Sequence, residues 1–357
     1  MKIKSKKIPL KEVATFLNGY AFKPSDWSKE GLPIIRIQNL TGTNKEFNYY
    51  NGDYNEKYII EDGDILISWS ASLGIFLWKN ITGILNQHIF KVIFDKDIEI
   101  DKLYFLHCMK YLIKKIEKNI HGSTMKHITR PEFEKINFPI YDIDLQRKIA
   151  KKLIFISEII NNNKKILVKL MDLSKSLFTT MFGDIKTNDK NWEIYYWKDV
   201  LNIKNGKNQK QVEDIEGKYP IYGSGGIIGY SNAYICNENT IIIGRKGNIN
   251  KPILVKEKFW NVDTAFGLEA KKDKISYYYL YYFCLFYDFK IHNKAVTIPS
   301  LVKSDLEKIL LPIPPIELQN KFAERIENIE KLKFEIEKSI ETAQNLYDSL
   351  ISKYFDN

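Results

Sequence analysis

Cysteine is scarce in this chain, and long hydrophobic runs are missing. The three cysteines among 357 residues, Cys108, Cys236 and Cys284, form no CxxC pair, which excludes a zinc ribbon and a disulfide framework. Unpaired thiols fit a cytoplasmic protein. No apolar run is long enough to span a bilayer, and no apolar stretch of a signal peptide follows the lysine-rich first residues. We therefore predict a cytoplasmic protein without a membrane partner.

The motifs of several enzyme classes are also missing. The sequence contains no GxxxxGK[ST] loop, which argues against an ATPase or helicase. It lacks the Asn/Asp-Pro-Pro-aromatic motif of amino-methyltransferases, because Pro314-Pro315 lies between Ile313 and Ile316. The five histidines show no metal-ligand spacing. These absences predict a chain that is not an enzyme by itself, with no catalytic residue and no bound metal.

One glycine-rich stretch, Gly223 to Gly229, superficially resembles a dinucleotide-binding loop. Position 228 is an isoleucine and no helix-forming segment follows, whereas the dinucleotide fingerprint requires a third glycine and a helix. Glycine also serves in turns and where a backbone approaches a ligand closely. We interpret this stretch as a β-turn or as a loop that lies close to DNA.

The composition indicates a folded, basic protein. Hydrophobic residues make up 44% of the chain, which is more than disordered chains contain, and the length has room for two or three domains. The 54 Lys and Arg residues exceed the 44 Asp and Glu residues, so the formal net charge is +10. This balance favours a polyanionic partner, nucleic acid before an anionic membrane. The alternative is a soluble protein that is merely rich in lysine.

A long internal repeat divides the chain. The segment 133–150 reappears at 306–323 without a gap, and the register stays constant, since Lys135 and Gln146 correspond to Lys308 and Gln319. The same register relates 177–182 to 350–355. A repeat of this length predicts two copies of one structural unit. We place the boundaries at 1–144, 145–184, 185–317 and 318–357.

The segments 145–184 and 318–357 are predicted to be long helices. Apolar residues recur in each at alternating steps of four and three, which is a heptad pattern. The helices would be about 55 Å long, with Gly183 as the predicted C-terminal cap of the first. Asn163 and Lys333 interrupt the apolar seams and are predicted to fix the register between the helices. We expect the helices to pack on each other; the alternative is that each lies on its own domain.

The segments 1–144 and 185–317 are predicted to be two mixed α/β domains of similar plan. Each has a buried strand, at 63–68 and at 240–244, and later an aromatic helical stretch, Leu103–Ile120 and Tyr277–Lys290. Outside such anchors the two sequences look unrelated. The two domains thus share a scaffold but differ in their central sequences. This pattern is typical of two domains that recognise two different targets.

Polar and basic residues in predicted loops of both domains are candidates for DNA contact, because these residue types bind base edges and phosphates. The alternative for any one of them is a solvated surface side chain. In the first domain the candidates are Lys23, Arg36, Gln38, Asn39, Trp69, Ser70, Asn86, Gln87, His88, Ser123, Lys126, His127 and Arg130. In the second domain they are Lys207, Tyr222, Ser224, Gly225, Gly226, Arg245, Lys246, Asn248 and Thr297.

The repeat, the two long helices and the order of the four segments together resemble the specificity subunit of type I restriction–modification systems over the whole chain. The phrase Pro-Ile-Pro-Pro-Ile-Glu-Leu-Gln at 312–319, with a weaker twin at 139–146, is similar to the entry into the family's conserved helices. The segment 177–184 is similar to the family's helix ending. The segments similar to recurring phrases of its target-recognition domains are 63–68, 219–230 and 243–247. Tyr141-Asp142 departs from the family's usual Pro-Pro, which should affect only the local turn.

The resemblance implies an α+β fold, with two mixed target-recognition domains in a pseudo-two-fold arrangement, separated by two long antiparallel coiled-coil helices. Each domain would read one half of a bipartite, asymmetric DNA site, and the helices would set the spacing between the halves. The helices would also bind methyltransferase subunits, two of them in the complex, which carry S-adenosylmethionine. Restriction subunits that translocate DNA with ATP and Mg²⁺ would join the assembly. This chain would hold no cofactor.

Three other interpretations stay open from the sequence. The chain could be a DNA-modifying enzyme that acts alone, although the missing motifs argue against it. It could be a coiled-coil scaffold that binds protein and not DNA. It could also be a specificity subunit that has lost its partners.

Overall fold

A computed structural model describes residues 5–69, 73–79, 81–119, 129–271, 274–293, 295 and 297–356. The chain divides into two compact units. The first unit comprises residues 1–162 together with 339–357, and the second comprises residues 163–338. Each unit therefore takes part of both long helices.

The first unit contains ten short strands and four helices before the first long helix, among the described residues. The strands are β1 (Lys6–Pro9), β2 (Thr15–Asn18), β3 (Leu32–Ile35), β4 (Asn48–Tyr50), β5 (Ile59–Ile60), β6 (Ile65–Ser68), β7 (Gly74–Leu77), β8 (Gly83–Leu85), β9 (Ile89–Ile93) and β10 (Asn137–Ile140). The helices are α1 (Leu10–Val13), α2 (Ile37–Thr41), α3 (Lys102–Asn119), α4 (Arg130–Glu134) and the long α5 (Ile143–Phe182).

Two four-stranded sheets and one strand pair build this unit. The first sheet has the order β2-β9-β6-β7 and is antiparallel throughout, whereas the second has the order β4-β3-β8-β5, with β3 and β8 parallel. Strand β1 pairs with β10. All four residues of β6 are buried, because β6 is an inner strand with apolar packing on both faces. This confirms the predicted buried strand at 63–68.

The second unit contains a similar set of strands and helices. Its strands are β11 (Glu193–Tyr196), β12 (Leu201–Asn205), β13 (Tyr219–Gly223), β14 (Gly226–Ser231), β15 (Thr240–Gly244), β16 (Ile253–Val255), β17 (Trp260–Asn261), β18 (Ala265–Ala270) and β19 (Leu310–Ile313). Its helices are α6 (Trp197–Val200), α7 (Tyr277–Phe286), α8 (Lys303–Leu306) and the long α9 (Ile316–Phe355). The predicted strand at 240–244 is confirmed as β15, which is fully buried.

The two units share one sheet topology. The order β12-β18-β15-β16 in the second unit corresponds strand for strand to β2-β9-β6-β7 in the first. The order β14-β13-β17 likewise corresponds to β4-β3-β8, and in both sheets the middle strand has one antiparallel and one parallel neighbour. The middles of the two domains, which look unrelated in sequence, therefore fold on one plan.

The aromatic helix of the second unit is shorter than predicted. The expected stretch runs to Lys290, but α7 ends at Phe286 and a separate 3₁₀ turn covers Phe289–His292. The carboxylate of Asp288 accepts a hydrogen bond from the backbone N–H of Lys290 at 3.1 Å. An aspartate that caps a new turn in this way competes with helix continuation, which accounts for the difference.

Both long helices have the length and spacing that the repeat predicts. Each has 40 residues, and their first residues, Ile143 and Ile316, lie at the register of the repeat. Gly183 follows α5 with φ 81, the left-handed conformation of a C-terminal cap, as predicted. Asp142 stands where the second copy has Pro315, yet α5 begins at the equivalent position. The carboxylate of Asp142 accepts a hydrogen bond from the N–H of Leu145 at 2.9 Å.

The long helices contact each other inside each unit. In the first unit Ile156 and Ile160 of α5 pack with Ala343 of α9. In the second unit the ring of Phe322 lies 5.6 Å from that of Phe178 and 5.1 Å from that of Phe182. The early part of α5 thus meets the late part of α9, and the reverse, so the helices pair antiparallel. The expectation that the helices pack on each other is confirmed. Each helix also packs on the cores of the domains.

Candidate nucleic-acid interface

The loop after β15 presents basic and amide side chains to solvent. Arg245, Lys246, Gly247 and Asn248 are all exposed. The backbone N–H of Arg245 donates to the carbonyl oxygen of Thr264 at 2.8 Å. The loop begins where a buried strand ends, so the strand holds it at the rim of the sheet. Its backbone is anchored while its side chains remain available.

The guanidinium of Arg245 is positioned by two contacts. Its Nη1 donates to the carbonyl oxygen of Asp263 at 3.3 Å, and its Cζ lies 5.9 Å from the ring centroid of Phe266. These contacts leave most of the five guanidinium N–H donors free for a ligand, among the described residues. A planar fork held in this way suits bidentate binding of a guanine edge or a phosphate.

A second segment supports the same loop. The N–H of Gly247 donates to the carbonyl oxygen of Pro299 at 2.9 Å, and the N–H of Leu301 donates to that of Arg245, also at 2.9 Å. Gly247 has φ 79, a conformation that favours glycine. Thr297, another predicted contact, is exposed two residues before Pro299 and therefore lies on the same rim.

The glycine-rich stretch is the hairpin of β13 and β14, so the interpretation as a β-turn is confirmed. Gly226 closes it with φ 128, and the amide nitrogen of Asn248 lies 3.6 Å from the place a Cβ on Gly225 would take. The carbonyl oxygen of Tyr222 accepts a hydrogen bond from the N–H of Val262 at 3.0 Å. The fold therefore brings this hairpin, with Ser224 at its tip, beside the loop after β15.

Lys207 joins the same part of the second unit from β12. Its N–H donates to the carbonyl oxygen of Asn261 at 3.0 Å, and its own carbonyl oxygen accepts from the indole N–H of Trp260 at 3.0 Å. Both contacts use backbone atoms, and the residue is exposed. Among the described residues no group binds its ammonium, which is therefore available to a phosphate.

The first unit has an equivalent rim with different side chains. Trp69 follows β6, its ring stacks on Phe90 at 5.6 Å, and His88 meets it edge-on at 5.7 Å. The N–H of Gln87 donates to the carbonyl oxygen of Tyr20 at 2.9 Å. Asn86 forms a bridge with the same tyrosine. The predicted residues 86–88 and Trp69 are therefore brought together.

Arg36, Gln38 and Asn39 lie around helix α2. The guanidinium of Arg36 donates to the side chain of Asn48 at 3.2 Å and lies 5.3 Å from the ring of Trp27. The amide of Asn39 accepts from the N–H of Arg36 and donates to the carbonyl oxygens of Asn44 and Glu46. Asn39 therefore serves its own loop, and a contact from its amide to DNA would require these bonds to break.

Several predicted DNA contacts lie away from these rims or outside the residues that the structure describes. Ser70, Ser123, Lys126 and His127 lie outside the described residues. The guanidinium of Arg130 pairs with Glu134 on its own helix at 2.7 Å. Lys23 is exposed beside a 3₁₀ turn.

The first unit also contains an aromatic cluster that the sequence did not predict. The rings of Tyr20, Phe22 and Tyr50 lie 4.9–6.5 Å apart, and Tyr58 lies 5.7 Å from Tyr20. Tyr20 is 43% exposed, and so is Trp27 to 41%. Exposed aromatic rings beside basic residues can stack on bases or sugars. The residues come from three separate segments, so no local sequence pattern predicts the cluster.

The two residues predicted to fix helix register are half-buried, and both lie in the second unit. The ammonium of Lys333 pairs with Glu330 at 2.8 Å on its own helix. The hydroxyl of Tyr282 on α7 donates to the same carboxylate at 3.3 Å. Lys333 is therefore held by a polar network that joins α9 to the domain. A register role for Asn163 and Lys333 stays a prediction.

The residues described by the structure contain no group of three or more His, Cys, Asp or Glu side chains that could hold a metal ion. A search of the described helices for a segment able to cross a membrane, by length and apolarity, finds none. The three cysteines are all buried, without a disulfide partner, and burial raises the pKa of the Cys236 thiol to about 12. A thiol of this kind is a packing group at neutral pH.

Sequence comparison identifies relatives along almost the whole chain. Residues 2–171 and 189–343 match the family described as type I restriction modification DNA specificity domain. The specificity subunit of the type I restriction enzyme EcoBI from Escherichia coli is 23% identical, over 98% of this chain and 85% of that protein. The MjaVIII specificity subunit from Methanocaldococcus jannaschii is 25% identical, over 82% of this chain and 80% of that protein.

Solved structures have the same fold. The S subunit of a type I restriction–modification system from M. genitalium superposes with a TM-score of 0.68 at 18% identity, over 99% of this chain and 96% of that one. A chain from a structural study of complex assembly and conformational transition in a type I R-M system gives a TM-score of 0.54 at 13% identity, over 99% and 97%. The predicted fold class, two mixed α/β domains with two long helices, is confirmed.

Proposed function

The chain belongs to the family of type I restriction–modification specificity subunits, since the family match covers both domains, and on this premise we propose how it reads DNA. Each domain binds one half of a bipartite, asymmetric site in the major groove. The rim after β6 reads one half-site in the first unit. The rim after β15 reads the other half-site in the second unit.

One observation gives this proposal its main support. The two units share a sheet topology, yet the side chains at corresponding strand ends differ, with Trp69 after β6 and Arg245 after β15. A common scaffold gives both domains the same geometry toward a duplex. Different side chains at these rims then give each domain its own base preference. The net charge of +10 supports the phosphate contacts that such binding needs.

The long helices are proposed to set the distance between the half-sites. A helix of 40 residues is about 60 Å long. Half-sites one helical turn apart are separated by about 34–36 Å, so helices of this length are sufficient to connect domains that bind successive major grooves. The spacer length of the site would then follow from the helices and not from the reading loops.

The helices also offer surface to partner subunits. Several large apolar side chains on them are exposed, among them Phe155 at 63%, Val168 at 63% and Phe334 at 61%. Exposed apolar side chains of this size are typical of surfaces that another protein covers. We assign them to methyltransferase subunits, two per complex, and to restriction subunits that join the assembly. S-adenosylmethionine, ATP and Mg²⁺ belong to those partners in this proposal.

The chain by itself is proposed to be non-catalytic. The assembled complex would methylate adenine at N6, with the target base flipped out of the duplex, and would cleave DNA at the expense of ATP. A cytoplasmic location is part of the same proposal, because free thiols fit a reducing compartment.

Expression of the chain with its partner subunits, followed by long-read detection of N6-methyladenine, tests this function. We expect methylation at one bipartite, asymmetric motif with a constant spacer. Methylation by the purified chain alone with S-adenosylmethionine would instead indicate a stand-alone enzyme. A duplex affinity without the linear dependence of log affinity on log salt that phosphate contacts produce would favour a protein scaffold.

A further inference from the structure

A tight turn between β8 and β9 is clamped by backbone hydrogen bonds in the first unit. The N–H of Ile89 donates to the carbonyl oxygen of Asn86 at 3.2 Å, which closes the turn. The N–H of Gly19 donates to the carbonyl oxygen of Ile89 at 3.2 Å. The N–H of Trp69 points to the carbonyl oxygen of His88 at 3.5 Å. We name residues 86–89 the first reading turn.

The second unit contains the same arrangement between β17 and β18. The N–H of Ala265 donates to the carbonyl oxygen of Val262 at 3.0 Å, and the N–H of Gly206 donates to that of Ala265 at 3.2 Å. The N–H of Arg245 donates to the carbonyl oxygen of Thr264 at 2.8 Å. We name residues 262–265 the second reading turn.

This bonding pattern aligns the two turns residue by residue. His88 corresponds to Thr264, since each accepts from the residue that follows the buried strand. Gln87 then corresponds to Asp263, one position earlier. The two sequences around these positions share no recognisable phrase, so the alignment comes from hydrogen bonds and not from sequence.

Asp263 is unusual for its surroundings. It is exposed and its neighbours on the rim include the exposed cations Arg245 and Lys246. Within the described residues no side chain or N–H makes a hydrogen bond or ion pair with its carboxylate. The guanidinium of Arg245 donates to its backbone carbonyl oxygen. A carboxylate that faced phosphates would repel them. A carboxylate that faced base edges would find amino donors, N4 of cytosine or N6 of adenine.

We propose that Gln87 and Asp263 occupy equivalent base-reading positions, and that the Asp263 carboxylate selects one base by accepting a hydrogen bond from its exocyclic amino group. This inference rests on the proposed function of the two domains. Its content is more specific, because it assigns one position of one half-site to one acidic side chain. Arg245 and Lys246 on the same rim offset the repulsion between this carboxylate and the phosphates.

The experiment compares methylation motifs of complexes that contain Asp263→Ala, Asp263→Asn or the matched control Asp199→Ala. Asp199 is an exposed aspartate on the short helix α6. We expect Asp263→Ala to make one base position degenerate in a single half-site, with the other half-site and the spacer unchanged. Binding of the cognate duplex should weaken by roughly 5- to 100-fold, the usual cost of one lost base contact. The Asp263→Asn variant is expected to favour adenine at that position, because amides bind adenine in bidentate fashion, so a position that the wild type reads as cytosine should change to adenine.

Three outcomes separate this inference from the function on which it rests. An unchanged motif with equally tighter binding of cognate and random duplexes would place Asp263 beside phosphates and overturn the inference alone. Degeneracy in the control would overturn it as well, since the effect would not be specific to the turn. A wild-type complex without a bipartite motif would contradict the proposed function itself. Thermal unfolding of each variant shows that it is folded, and Asp263→Asn, which preserves the shape of the side chain, keeps the test valid if the alanine variant is unstable.

Discussion

Gln146 and Gln319 make the same three hydrogen bonds in the two units. The amide oxygen of Gln146 accepts from the N–H of Asp101 at 3.0 Å, and its nitrogen donates to the carbonyl oxygens of Glu99 and Tyr141. The amide of Gln319 binds the corresponding backbone groups ahead of α7 and α9. Both side chains are fully buried. One glutamine therefore fastens each long helix to the aromatic helix of its domain.

Replacing Gln319 by alanine should destabilise the protein by about 2–4 kcal/mol, because it leaves one buried N–H and two carbonyl groups without their partner. Gln146→Ala should have a similar effect. Chemical unfolding measures both. Gln344→Ala, on the exposed face of α9, is the matched control and should change stability by less than about 0.5 kcal/mol. If Gln319→Ala and Gln146→Ala changed stability as little as Gln344→Ala, the hydrogen bonds of the buried glutamines would contribute nothing to stability.

Gly206→Ala should disable one half-site only. A Cβ at this position would lie 1.8 Å from the carbonyl oxygen of Val262, so the second reading turn would have to move. We expect loss of the second domain's half-site specificity and a destabilisation of about 2 kcal/mol or more. Gly223→Ala, where the nearest atom is 3.6 Å away, should retain wild-type stability. Retention of the full motif by Gly206→Ala would show that the turn does not position the reading residues.

Acid should destabilise the first unit through His107. Burial, and next the charge of Lys110, lower the pKa of this histidine to about 4, and its Nδ1 lies 3.0 Å from the hydroxyl of Tyr347. Between pH 6.5 and 4 the unfolded state binds a proton that the folded state does not, so stability is lost as pH falls. The loss should approach about 3 kcal/mol. His107→Gln should flatten this part of the stability profile; an unchanged slope would assign the acid sensitivity to other groups.

Arg245→Ala should weaken or relax recognition of a single half-site. A bidentate contact from arginine to guanine contributes about 1–3 kcal/mol of discrimination, and the methylation motif reports which position loses it. His88→Ala, on the rim of the first domain, should affect the opposite half-site. If Arg245→Ala weakens binding to all sequences equally, with an unchanged motif, the arginine is a general phosphate contact.

Insertion of one heptad into both α5 and α9 should lengthen the spacer of the methylated motif. Seven residues add about 10.5 Å of helix, which corresponds to about three base pairs at roughly 3.4 Å each. Both half-sites should keep their sequences, because the reading turns are not altered. A spacer of the original length in the methylation motif would refute the role of the helices as a ruler.

Local sequence signals were sufficient for the long helices. The heptad pattern, the absence of proline and glycine inside them and the cap at Gly183 depend on residues within a few positions of each other. The repeat also predicted that α9 begins where α5 does, one repeat later. The buried strands β6 and β15 were predicted because both apolar runs are too short for a typical helix, rich in isoleucine and flanked by glycine.

The sequence by itself thus determined a basic protein of two repeated units, with long helices and two mixed domains. Only the tertiary structure decided that the dissimilar middles share one strand order, that Asn39 serves its own loop, and that Gln87 and Asp263 are equivalent. Those facts depend on backbone hydrogen bonds between residues far apart in the chain, such as Gly206 with Ala265. Backbone groups are the same in every residue, so their pairing leaves little trace in side-chain patterns.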